Sequence, residues 1–243
     1  MTYNLAYKPY GERAILIEWP QEINENILRD VLEFKFKIEK YGIKQILEIR
    51  QSYSSLLVIY GFVLENYSLE ISTIRKIYNT EIEAIDQSFR QWVIPVCYDD
   101  AFGIDLNELS LEKNMSKSEI IDLHSSVVYT TYFIGFLPGF LYLGGLDGKL
   151  HTPRKSTPRL RIEKGAVAIG GNQTGIYPMA SPGGWNIIGN TPVSLFDVNK
   201  KSPCFVAPGD RVKFKSVSID VYHDIKVLID AGVYQMESEV ISD

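Results

Sequence analysis

Hydrophobic positions change their spacing several times along this chain. The apolar run RAILIEW, Arg13 to Trp19, predicts a strand, and Ile27, Val31, Phe34 and Ile38 follow at the three- and four-residue spacing of one helix face. Gly42 supplies a stop signal. KQILEIR and SSLLVIY predict two more strands with only Gln51, Ser52 and Tyr53 between them, a hairpin spacing. Ile71, Ile74 and Tyr78 then mark a second helix, and QWVIPVCY, Gln91 to Tyr98, a further strand.

Strand, helix, strand, strand, helix, strand is the order of two interlocked βαβ units, so residues 1–98 are expected to form a small ferredoxin-like α/β domain. This half contains no histidine, and its acids scatter over predicted helix faces, as solvated surface charge does. Residues 99–126 predict a helical connector. Within it, Ser116 followed three residues later by Glu119 is a capping-box pattern opening a helix with Ile120, Ile121 and His124. His124 falls four residues after Ile120 on the packed side, which favours a hydrogen-bonded structural histidine over a catalytic base.

From Val127 the pattern changes again. Short β-branched and aromatic runs are interrupted by Gly or Pro every few residues, which predicts short strands and tight turns in an all-β barrel or sandwich over residues 127–243. Charge is segregated within this half. Lys149, Arg154, Lys155, Arg159, Arg161 and Lys164 face a single acid, Glu163, and Gly165 through Phe196 carries no formal charge. Arginine forks match carboxylate oxygens, and glycine exposes backbone N–H groups, so a basic edge beside a neutral Gly-rich surface suits a small anionic substrate whose carbonyl is polarised by fixed donors. The same glycines also fit plain turn positions in a barrel.

Composition narrows the classes. With 243 residues, 45% hydrophobic and 12% aromatic, the chain can bury one large core or two small ones. A formal charge of −5 and a pI near 5.4 give no global attraction to nucleic acid or to an anionic membrane. Two distant cysteines, Cys97 and Cys204, fit a reducing compartment and no metal pattern. Charges at Lys8, Glu12 and Arg13 break any secretory signal, and no apolar run approaches the roughly 20 residues of a membrane span, so the cytoplasm is the expected location. GGLDGKL has the wrong spacing for a phosphate loop and a leucine where the metal-binding hydroxyl belongs. No nucleophile elbow, zincin helix or paired-cysteine zinc pattern occurs, and no metal set is expected. His151, beside the basic segment, is the best isolated acid–base candidate.

YFIGFLPGFLYLGGL, HTPRKSTPRLRI, GAVAIGGNQTGIYP and SPGGWNIIGNTP resemble successive signature blocks of the allophanate hydrolase subunit 1 family, also described as the 5-oxoprolinase B subunit family and as the Kip inhibitor family. The likeness is tightest from Tyr132 to Asp197, and IPVCY, DLNEL and LHSS extend it upstream. It implies a cyclophilin-like β-barrel for the second half. It also implies a role as the B subunit of an ATP-dependent 5-oxoprolinase, inactive alone, with the C subunit (of the allophanate hydrolase subunit 2 type) and the A subunit (of the lactam-utilisation type) as partners. ATP, with magnesium, is expected at the level of the complex. The alternatives are an inhibitor of a sporulation-type histidine kinase and one half of an allophanate or urea carboxyltransferase-like enzyme. Matching the blocks residue by residue places substrate contacts at Phe136, Pro138, Gly139, Phe140, Tyr142, Arg154, Arg159, Gln173, Tyr177, Pro182, Gly183, Gly184 and Trp185. Arg154, Arg159 and His151 are the catalytic candidates. One departure is notable: a serine of the family pattern is Ala166 here.

Overall fold

A computed structural model describes residues 3–41, 43, 45–81 and 88–241. The chain divides into two compact units, Met1–Gln87 and Ser88–Asp243. The stop signal expected at Gly42 lies outside the described residues.

The first unit contains strands β1 (Ala6–Tyr10) and β2 (Ala14–Glu18), helix α1 (Glu25–Tyr41), strands β3 (Ile46–Gln51) and β4 (Ser55–Tyr60), and helix α2 (Tyr67–Tyr78). Its antiparallel sheet has the order β1-β2-β4-β3. The predicted helix stripe is real: Ile27, Val31, Phe34 and Ile38 are all buried, together with Leu28. They pack on Ile15, Ile17, Leu56 and Val58, the inward residues of β2 and β4. α2 starts at Asn66, whose side-chain oxygen accepts from Leu69 N, a cap that satisfies one otherwise orphaned donor.

The sixth element of the expected ferredoxin-like order is absent from this sheet. The Gln91–Tyr98 run belongs to the second unit as β5 (Phe89–Cys97), and the edge beside β2 is taken by β1. Ile94, Pro95, Val96 and Cys97 are consecutive buried residues, and a strand covered on both faces reads as a continuous apolar run rather than an alternating one. β1 shows the opposite signature. It is almost wholly exposed and contains Pro9, which an edge strand tolerates.

The second unit continues with helices α3 (Leu106–Lys113) and α4 (Lys117–Ser126), strands β6 (Val128–Ile134), β7 (Leu141–Gly144), β8 (Arg159–Ile162), β9 (Ala166–Gly170), β10 (Gln173–Ile176), β11 (Ser181–Gly183), β12 (Asn186–Asn190) and β13 (Arg211–Val217), helix α5 (Ile219–Asp230) and strand β14 (Ser238–Ile241). Seven strands in the order β12-β9-β10-β7-β6-β13-β5 form a wall that closes where Asn190 of β12 meets Cys97 of β5. This closed barrel is consistent with the expected cyclophilin-like one. β5 and β13 run parallel, while the other pairs in the wall are antiparallel. β14 lies along the first part of β5, and β8 and β11 form a separate two-stranded ribbon. The second half is therefore not purely β: α5 begins at Ser218, whose hydroxyl accepts from Val221 N, and buries only Tyr222. Its apolar residues recur with the helical regularity of those in α2, although only Tyr222 is buried.

α3 and α4 belong to the barrel unit rather than to a free connector. The capping box at Ser116 and Glu119 forms as predicted, with the Ser116 oxygen accepting from Glu119 N and the Glu119 carboxylate accepting from Ser116 N. α4 carries Ile120 and His124 into the barrel core beside Tyr98, Tyr129 and Phe214. The fully buried His124 stacks on Phe214, with ring centroids 4.7 Å apart. Thr174 Oγ1 donates to Ala168 O, so it accepts from His124 Nε2–H at 2.8 Å, and Nδ1 is left to accept from the Tyr98 hydroxyl at 2.7 Å. That one-way chain requires neutral imidazole, and burial pushes its pKa down to about 3. His124 is thus a structural histidine.

Candidate functional site

Because strand side chains alternate, the wall formed by β7, β10, β9 and β12 has two apolar faces. Leu141, Leu143, Ile176, Val167, Ile169 and Ile188 point into the barrel core. Phe140, Tyr142, Tyr177, Ala166, Ala168, Trp185 and Ile187 form a separate cluster on the other face, joined by Ile162 of the β8–β11 ribbon. Phe140 is its hub, meeting Tyr142 at 4.7 Å, Tyr177 at 4.9 Å and Trp185 at 5.6 Å between ring centroids. The last two contacts are edge-to-face, the geometry favoured by the ring quadrupoles.

The neutral Gly-rich stretch makes room for these rings. A Cβ on Gly170 would stand 2.5 Å from the Trp185 indole, and one on Gly183 would collide with the Tyr177 hydroxyl. Close approach explains both glycines without any exposed amide. Gly184 uses its carbonyl to accept from Lys155 N at 2.7 Å. Trp185 is itself buried, so SPGGWNIIGNTP builds the floor of the face as well as its wall. Ala166 lies in the same packed cluster, where the serine hydroxyl of the family pattern would have faced aromatic rings.

Arg154 borders this face. Its guanidinium carbon lies 5.6 Å from the centre of the Trp185 ring, within cation–π range. Burial raises the pKa of the Tyr142 hydroxyl, and the Arg154 charge draws it back down. Burial likewise raises Tyr177, opposed by a hydrogen bond from the Trp185 backbone and by Arg154. Both hydroxyls stay protonated near neutral pH, Tyr142 half-buried and Tyr177 fully buried.

The expected residues thus divide. Phe140, Tyr142, Tyr177, Gly183, Trp185 and Arg154 come together. Phe136 joins them at the rim, 62% exposed, packing edge-on against Phe140 at 5.8 Å with a φ of 69°, an unusual backbone for a bulky residue. Pro138 and Pro182 are exposed, while Gly139 packs against Phe196. Gln173 is buried at the start of β10, paired with Gly170. Arg159, paired with Gly183 and near enough to Tyr177 to lower its pKa, donates twice from its guanidinium to Asp105, at 2.9 and 2.5 Å. His151 lies exposed in its own turn, away from the aromatic cluster, with Nε2 3.1 Å from Leu146 O and its carbonyl accepting from Lys113 Nζ at 2.6 Å.

Two residues at this site escape the sequence reading. Asp105 stands 54 positions from the arginine it binds, and Asn186 holds the basic loop by donating from Nδ2 to Pro153 O at 3.0 Å. Neither partner is visible in local spacing. Among the described residues no group of three or more His, Cys, Asp or Glu is placed to hold a metal ion, and no helix is long and apolar enough to cross a membrane.

The architecture is a closed barrel with an aromatic cluster on the outer side of its wall. The chain belongs to the carboxyltransferase domain family, subdomains C and D, which matches residues 5–206. It is 34% identical over 236 residues to the 5-oxoprolinase B subunit of Bacillus subtilis (strain 168), covering 93% of this chain and 98% of that protein. The crystal structure of TTHA0988 superposes with a TM-score of 0.74 at 32% identity, covering 85% of this chain but only 40% of that one. Urea amidolyase of K. lactis shares the fold with a TM-score of 0.82 at 19% identity, covering 99% of this chain and 16% of the enzyme.

Proposed function

We propose that this chain is the B subunit of a cytoplasmic, heteromeric, ATP-dependent 5-oxoprolinase that opens 5-oxoproline to glutamate together with its A and C partners. Near-complete mutual coverage with a protein named as the 5-oxoprolinase B subunit supports the reading. The observation that carries the chemistry is the arginine standing over this aromatic cluster: among the described residues Arg154 has no carboxylate partner. In this reading the Arg154 fork takes the carboxylate of the lactam, and the rings of Tyr142 and Trp185 cover its flat ring and exclude water. Tyr142 supplies a donor, Tyr177 supports the cluster from within, and Phe136 closes the rim. Arg159 and His151 hold the surrounding loop.

ATP supplies the activation of the lactam carbonyl. The segment of this chain nearest to a phosphate-loop pattern does not fit a triphosphate. Gly148–Leu150 is one 3-10 turn, and the Asp147 carboxylate already accepts from Lys149 N, where a phosphate would need that donor. In this reading ATP, with magnesium, acts at the level of the complex. The test is glutamate release from 5-oxoproline and ATP by the three co-purified proteins, compared with mixtures lacking this chain. Activity that persists without it overturns the proposal. No observation favours the kinase-inhibitor alternative.

A further inference from the structure

Arg154, Lys155 and Arg159 crowd one short segment, yet the fold treats them unequally. Lys155 and Arg159 converge on Asp105, a carboxylate only 1% exposed. Arg159 reaches it through both guanidinium arms, Lys155 Nζ lies 3.2 Å from Oδ1, and Ile187 N donates to Oδ2 at 2.7 Å. Asp105 N in turn donates to Ile187 O at 2.9 Å, so the approach to α3 is stitched to β12 from both directions. The basic loop is tied down beside it, through Pro153 O to Asn186 and through Lys155 N to Gly184 O. Arg154 sits between these two ties with its side chain over Trp185.

We propose that Asp105 is a positioning residue for the outer-face site. By holding Lys155 and Arg159 against β12, it leaves Arg154 as the one cation of the segment offered to a ligand carboxylate, and it fixes that guanidinium over the indole. The physical basis is competition. Three like charges on one short loop repel each other and would share an incoming anion among several poses, whereas buried Asp105, bonded to Arg159 and shared with Lys155, which also pairs with the exposed Glu108 at 2.7 Å, selects one geometry. Asp105 touches no substrate and acts through the loop. The inference rests on the outer face being the ligand site proposed above.

The experiment pairs a kinetic arm with one that needs no turnover. In the assembled enzyme, Asp105→Asn is expected to raise KM for 5-oxoproline roughly tenfold while kcat stays within about twofold, the pattern of lost ground-state positioning. The double variant Asp105→Asn with Arg159→Gln restores charge balance without restoring the tie, and its KM is expected to stay raised. Recovery of the original KM in the double variant overturns the proposal, because Asp105 would then be balancing charge only. In the 15N-labelled chain alone, the Trp185 indole resonance, identified with Trp185→Phe, is expected to shift in Asp105→Asn as it does in Arg154→Gln. An unmoved resonance overturns the proposal even if the wild-type complex proves inactive, an outcome that by itself would sink only the reaction reading. Should Asp105→Asn fail to fold, Arg159→Gln, which releases one arm of the clamp, carries the same expectations at smaller size.

Discussion

Strands β7, β9, β10 and β12 carry a cluster on each face, and the two are made of different residues. The residues these strands turn into the barrel are Leu, Ile and Val, which meet His124, Tyr98, Tyr129 and Phe214 brought from other elements; on the outer side Phe, Tyr and Trp are seated on glycine and alanine. Aliphatic side chains interlock and fill space, which suits an interior whose only task is to exclude water. Aromatic side chains with polar tips leave hydroxyls and a ring face for a ligand while burying most of their own area. One wall thus separates a face that holds the barrel together from the face that the proposed function assigns to a ligand.

Substitutions should break this contrast in graded fashion, measured as unfolding free energy in denaturant. Phe214→Ala, inside, removes the ring that stacks on His124 and should cost about 4 kcal/mol. The next effect depends on pH. His124 is held down to about 3 in the folded protein, against an ordinary value of 6.5. Between those values only the unfolded chain binds the proton, so stability falls as pH falls through this window, by about 1.4 kcal/mol per pH unit from this residue. His124→Gln should be less stable at pH 7 and should lose that part of the slope, a difference visible in paired titrations across the acid window. An unchanged slope would mean that the imidazole is protonated in the fold.

Gly170→Ala, on the outer face, pushes a methyl group into the indole and should cost about 1–2 kcal/mol while displacing Trp185, with a drop in 5-oxoproline affinity out of proportion to the stability lost. Arg154→Gln has the smallest structural effect, within about 0.5 kcal/mol, because the side chain is exposed and unpaired. Its binding effect should nevertheless be at least about tenfold, as for a lost charge-assisted pair. Equal stability losses for Phe214→Ala and Arg154→Gln would erase the distinction between the faces.

What can be read in advance follows the range of each interaction. The stripe of α1 and the capping box of α4 are set within a few residues and are legible, as is the clustering of aromatic, basic and glycine-rich blocks. β1 is invisible because an exposed edge with Pro9 has no alternation to detect, whereas α5 carries a helical pattern as regular as that of α2 and is hidden only by the turn-rich reading of the second half. The fate of Arg159 lies beyond local pattern altogether. Its motif marks it as a ligand contact, and its pairing with a carboxylate 54 residues earlier is not visible there. For the same reason local order assigns β5 to the wrong sheet, since its parallel neighbour β13 is more than a hundred positions away.

The position of β5 also dictates when the barrel unit can form during synthesis. It is the first strand of that unit to leave the ribosome, and it pairs along most of its length with β13, with β14 against its start and β12 at its end. Until those later strands emerge, β5 has no neighbour on either edge, and its apolar run must wait unpaired. The first unit has all its strand partners within its own residues and can fold as soon as it is released. The nascent chain therefore carries a finished domain ahead of an unfinished one, and the waiting strand, rather than the finished domain, is the segment a chaperone would need to shield.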